Sequence, residues 1–120
     1  MKKIFMLLAA SVLAGGCSNE YDSVDAREFA EVLKNPDVQI IDVRTPQEFS
    51  EGHIPDAVNN DIGSEDFFEK MNRLDKEKPV AVYCRSGRRS KIAAERFVGE
   101  GFKVTELEGG ILTWKGEIIK

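Results

Sequence analysis

Apolar and polar positions follow two rhythms along this chain, and the switches between them mark its elements. From Asp25 the rhythm is helical: Ala26, Phe29, Ala30 and Leu33 share a face, Asp25-Ala-Arg-Glu28 has the form of a capping box, and Asn35-Pro36 ends the run. Val38-Gln-Ile-Ile-Asp-Val43 is then a β-branched stretch suited to a buried strand. Thr45-Pro-Gln-Glu48 is a second capping box with proline at the first helical position, opening a short helix that Gly52 stops. Ala57-Val-Asn59 predicts a brief strand, and Ser64 caps a helix with Phe67, Phe68, Met71 and Leu74 on its face. Pro79-Val-Ala-Val-Tyr83 is the clearest buried strand. A helix follows from Ser90 to about Glu100, with Gly101 as its C-terminal cap. Val104-Thr-Glu-Leu107 predicts the last strand, and Gly109-Gly110 turns into a short helix carrying Trp114. Strands alternating with helices predict an α/β domain on a mainly parallel sheet, with sites at the carboxyl ends of strands. Trp114 and the Phe67/Phe68 pair are expected in the core.

The first residues follow neither rhythm. Lys2 and Lys3 precede an apolar run, Ile4–Leu13, and small residues lead to Cys17. An apolar run of about 10 residues is too short for a bilayer core of ~30 Å, and the layout is that of a secretory signal, here residues 1–16. A cysteine directly after small residues resembles a bacterial lipoprotein cleavage box. The chain then divides into a signal peptide (1–16), a lipidated Cys17 with a polar tether to residue 23, and one domain over 24–120. The alternative is an ordinary signal peptide cut near Gly16. Export, with a lipid anchor in a bacterial membrane facing the periplasm or cell exterior, is the expected location.

Composition narrows the functions. A length of 120 residues suits one core. Net charge of −4 argues against a general nucleic-acid binder, which needs a basic face for phosphates. One histidine and two distant cysteines argue against a metal cluster, and no phosphate-cradling glycine motif calls for a nucleotide, so no metal and no cofactor are expected. With Cys17 lipidated, Cys84 is the one thiol left, and a lone thiol in an exported protein calls for a reason.

Its surroundings supply one. Cys84 follows the strand Pro79–Tyr83 and opens Cys84-Arg-Ser-Gly-Arg-Arg-Ser90, which runs into a helix. Converging loop amides and a helix N-terminus make an anion cradle, and Gly87 permits the backbone angles it needs. Arg85, Arg88 and Arg89 add full positive charge. Cysteines in such settings ionise more readily than free thiols. Cys84 is therefore the candidate nucleophile, with Arg85, Ser86, Gly87, Arg88 and Arg89 as candidate substrate-binding residues.

The loop resembles the active-site loop of the single-domain rhodaneses, or thiosulfate sulfurtransferases: Cys-x-x-Gly-x-Arg followed by Ser or Thr. Two further segments are similar to that family's signatures. The first is Asp42-Val-Arg44, Glu48-Phe49 and Gly52-His-Ile-Pro-Asp-Ala-Val-Asn59, where the family often has glycine in place of Asp56. The second is Leu107-Glu-Gly-Gly-Ile-Leu-Thr-Trp114. Among these the chain looks most like small exported rhodaneses of the phage-shock protein E type. The resemblance implies a five-stranded parallel sheet with helices on both faces. It also implies a two-step reaction in which Cys84 takes sulfur from a small anionic donor such as thiosulfate and passes it, as a persulfide, to cyanide or a thiol. The loop amides and Arg89 would hold the anionic sulfur species, while Arg85 and Arg88 would attract the donor. A persulfide carrier or sulfur-sensing module acting on a protein partner is the alternative. Phosphatases and arsenate reductases of related fold place five residues between cysteine and arginine. Here four separate Cys84 from Arg89, a tighter cradle that favours sulfur over phosphate. His53 is expected to make a structural hydrogen bond, and Asp42 with Arg44 to order the sheet end by ion pairing.

Overall fold

A computed structural model describes residues 20–120; the predicted signal peptide and Cys17 lie outside the described residues. Five strands form one sheet: β1 (Asp22–Val24), β2 (Gln39–Asp42), β3 (Val58–Asn59), β4 (Val80–Tyr83) and β5 (Val104–Leu107). They lie in the order β1-β5-β4-β2-β3, and every pairing is parallel. The helices between them are α1 (Ala26–Val32), α2 (Pro46–Ser50), α3 (Phe67–Met71) and α4 (Arg88–Gly99), with a closing 3-10 turn, Gly110–Thr113. Central strand β4 is buried at all four residues.

Strand alternation divides the core into two halves. Ile40, Ala81, Tyr83 and Leu107 meet Phe29 of α1 and the edge of Trp114 on one face. Ile41, Val43, Val80 and Val82 meet Phe67 and Met71 of α3 and Ala93, Ala94 and Phe97 of α4 on the other. Helices thus cover both faces, as the resemblance implied. Packing on both faces holds each strand end in place, and Cys84, the residue after β4, is packed into the second half.

Four expectations need correction. Asp22 and Ser23, assigned to the tether, belong to edge strand β1, which pairs with β5 from Asp22↔Thr105 to Val24↔Leu107. Polar side chains suit an edge strand, which is why the pattern hid it. Phe68 is 45% exposed: α3 is barely more than one turn, so only Phe67 and Met71 face inward, and Phe68 lies under the Arg96 guanidinium instead. Ser64 does not cap α3; the cap position is Asp66, which has no side-chain capping bond. Helix α4 begins at Arg88, two residues before the predicted start, for a reason that belongs to the site.

The Asp56 departure has a physical counterpart. Asp56 has φ of 70°, the left-handed region that glycine enters without steric cost and aspartate tolerates better than most residues.

Candidate active site

The chain leaves β4 and enters α4 through Cys84-Arg-Ser-Gly87, and Gly87 sets the shape of that turn. Its φ is 100°, and a Cβ there would stand 3.0 Å from the Gly109 nitrogen. The Gly87 N–H turns inward and donates to Cys84 Sγ at 3.0 Å. Gly87 is the N-cap of α4 and offers no side chain to the helix's free amides. An N-terminus left uncapped by side chains keeps amides and partial positive charge for an anion. This explains the early start of α4: Arg88 and Arg89 are its first two residues, and the cap position is given to the cradle.

The terminal signature supports the loop from below. Ile111 N–H donates to the Cys84 carbonyl at 2.8 Å, and Leu112 N–H to the Arg85 carbonyl at 3.2 Å. Gly110, at φ 68°, lies so near that a Cβ would stand 2.6 Å from the Ser86 nitrogen and collide with the Arg85 carbonyl. Glycine at 110 is thus a condition of the loop's position.

Cys84 is 1% exposed, so only a small reagent entering between the loop amides reaches its sulfur. Arg85, Ser86 and Arg88 are exposed around it, and among the described residues neither Arg85 nor Arg88 has an ion-pair partner. Arg89 is placed differently. Its guanidinium meets Glu48 of α2 through two bonds, of 2.8 and 3.0 Å. The bond from Arg89 lowers the Glu48 carboxyl to about 2, with Thr45 assisting. Glu48 therefore has two tasks, closing the capping box of α2 and fixing Arg89 beside the loop. Cys84 and Arg89 are close enough for the sulfur's charge to act on the guanidinium. Two of Arg89's donors are held by Glu48, and its charge stands beside the cradle.

Asp42 and Arg44 form a buried scaffold. Arg44 reaches Asp42 at 2.7 Å and the Gly52 carbonyl at 2.7 Å, and its ring-facing side lies over Tyr83. Burial opposes the Arg44 charge, but Asp42's hydrogen bonds and charge overcome it and hold the guanidinium above its usual range. Burial pushes the Tyr83 phenol upward, and its oxygen accepts the Ile54 N–H at 3.0 Å. His53 stacks on Phe49 at 3.7 Å and donates from Nδ1 to the Phe49 carbonyl. Its backbone also exchanges two bonds with Ile119, fastening the chain end. These residues hold the sheet end together.

Two residues escaped the sequence reading. The sequence marks Glu48 as a capping residue and not as the partner of Arg89. Glu106 was seen as a strand residue, yet it is fully buried and bonded to Ser90, which lies beside Cys84. An acidic residue inside a short apolar strand is the signal that marks it.

The rhodanese-like domain model matches residues 25–117. The Bacillus subtilis protein YtwF is 43% identical over 81 residues, 68% of this chain and 77% of that protein. The thiosulfate sulfurtransferase GlpE of Coxiella burnetii is 39% identical over 96 residues, 79% of this chain and 88% of its own. Among solved structures, a rhodanese-related protein from Thermoplasma volcanium superposes with a TM-score of 0.70 at 31% identity, over 82% of this chain and 98% of its own.

Proposed function

This chain belongs to the rhodanese-like domain family, and from that premise we propose that it is a sulfurtransferase working through a Cys84 persulfide. The donor is thiosulfate or a similar small anion, and the acceptor is cyanide or a thiol. One observation carries the reading: a thiol with 1% exposure accepts the Gly87 N–H at the start of a helix, beside two exposed arginines that pair with no described residue.

In the first step the Cys84 thiolate attacks the outer sulfur of thiosulfate. A new S–S bond forms, the thiosulfate S–S bond breaks, and sulfite leaves with the bonding pair. In the second step the acceptor attacks the outer sulfur of the persulfide, and Cys84 leaves as thiolate. The cradle amides bind the negative charge in both steps, which is the logic of preorganised donors. Arg85 and Arg88 raise the local concentration of an anionic donor on an acidic chain, Ser86 and Gly87 supply cradle backbone, and Arg89 supplies fixed charge. Replacing Cys84 by serine removes cyanide-dependent turnover of thiosulfate while the circular dichroism spectrum stays native; turnover near the parent rate in that variant refutes the assignment.

The leader-like residues 1–16 and Cys17 support an exported enzyme of the phage-shock protein E type, tethered by lipid on Cys17 to a bacterial membrane and facing the periplasm or exterior. Labelling with a fatty acid in cells tests it: incorporation that persists in Cys17→Ala would sink the anchor.

A further inference from the structure

Glu106 is a fully buried acid on β5 that the sulfur cycle above does not use. Its carboxylate is the end of a chain of hydrogen bonds that begins at the nucleophile. Cys84 Sγ lies 3.4 Å from Ser90 Oγ, and Ser90 Oγ donates to Glu106 Oε2 at 2.5 Å. Ser90 has no exposure either. A hydroxyl has one proton and two lone pairs. With its proton committed to the carboxylate, Ser90 meets the thiol as an acceptor, so all bonds in the chain point from sulfur to carboxylate.

We propose that Glu106, acting through Ser90, is the proton acceptor of Cys84; this rests on the sulfurtransferase reading. As the S–H bond breaks, its proton passes to Ser90 Oγ and the proton already on Ser90 passes to Glu106 Oε2. The negative charge moves from carboxylate to sulfur, and Ser90 then donates to the thiolate alongside Gly87 N–H. No proton enters or leaves the protein. When the acceptor removes the outer sulfur, the reverse shift returns the proton to Cys84. Ser90 and Glu106 are positioning residues here, since neither needs to touch the donor.

Burial gives this route its purpose, because Ser90 and Glu106 are closed to solvent and Cys84 is almost so. The other groups facing Glu106 are arranged around its second oxygen. Ser23 Oγ of β1 shares its one proton between Oε1, 2.6 Å away, and Glu108 Oε1, 2.7 Å away, and Lys91 of α4 reaches Oε1 at 3.3 Å while also pairing with Glu108 at 2.8 Å. Tyr21 lies close enough that burial first, and the charges of Glu106 and Glu95 next, push its phenol upward. Oε2 is left to Ser90, and Arg89 faces the sulfur end.

The test is the rate at which iodoacetamide, an uncharged probe, alkylates Cys84 across a pH series, with the site located by peptide mass. An unassisted thiol is only a few per cent ionised near neutral pH, and the Gly87 N–H and the arginines remain in both variants, so Glu106→Gln and Ser90→Ala each slow alkylation there by up to about 30-fold. The double variant is no slower than either single one, and Ser90→Thr, which keeps the hydroxyl, restores the rate. A faster or unchanged Glu106→Gln overturns the proposal, since a carboxylate acting only as nearby negative charge would restrain ionisation. Additive losses overturn it as well. If Glu106→Gln does not fold, the Ser90→Ala and Ser90→Thr pair decides alone. Alkylation uses no sulfur donor. These rate losses in a protein that never gains sulfur from thiosulfate sink the transferase reading and leave the relay; sulfur gain without rate losses does the reverse.

Discussion

Two loops leave neighbouring parallel strands at the same end of the sheet, and they treat charge in opposite ways. After β2, Arg44 folds back on Asp42 and the Gly52 carbonyl, and Asn59 Nδ2 closes the turn by donating to the Asp42 and Arg44 carbonyls. After β4, Arg85 and Arg88 stand in solvent around a helix start that no side chain caps. The first loop spends Arg44 Nε and Nη2 and the Asn59 amide inside the protein; in the second, Arg85 and Arg88 pair with no described residue. Register Asp42↔Tyr83 sets them side by side, and the Glu48–Arg89 pair joins them. A reactive loop keeps its shape here because its neighbour is rigid.

The same kind of substitution therefore has unlike consequences in the two loops. The largest effect on folding falls on the closed one. Arg44→Leu strands the fully buried Asp42 carboxylate and costs about 3–5 kcal/mol in urea unfolding. A loss below about 1 kcal/mol would mean the pair is dispensable. In the open loop, Arg85→Ala with Arg88→Ala leaves stability within about 0.5 kcal/mol. It raises the KM for thiosulfate about 10-fold at low salt with kcat nearly constant, and the difference shrinks as salt screens the field. A loss confined to kcat would place these arginines in the chemical step instead. The smallest effect belongs to the joint. Glu48 is held at about 2 in the folded protein against an ordinary 4.5, so its contribution is present above that ordinary value and lost as pH falls toward 2. Because the pair is partly exposed, Glu48→Gln costs on the order of 1 kcal/mol at neutral pH and flattens the acid limb of the stability profile. An unchanged acid limb would contradict the coupling of the two loops.

What could be read in the sequence was what lies close along the chain. Cys84, Gly87 and the arginines fall within six residues, and a strand followed by a helix requires them to share one turn. The parallel sheet followed from the alternation of β-branched runs with capping boxes. The contacts that escaped join residues far apart: Glu48 meets Arg89 across 41 positions and Ser90 meets Glu106 across 16. Local rules supplied a sufficient role for each of those residues, a cap for Glu48 and a helix start for Ser90, and gave no reason to look for another. Gly110 shows the same limit: its place in a turn was legible, while its approach to Ser86 depends on β4 and β5 lying side by side.

The central claim is that the open loop exists to hold sulfur on Cys84. Intact-mass analysis of the purified protein, incubated with thiosulfate and then with cyanide, tests it most directly. The expected result is a gain of one sulfur atom that maps to Cys84, disappears on adding cyanide and is absent from Cys84→Ser. No gain in folded protein with Cys84 reduced, or a gain that survives in Cys84→Ser, would contradict it.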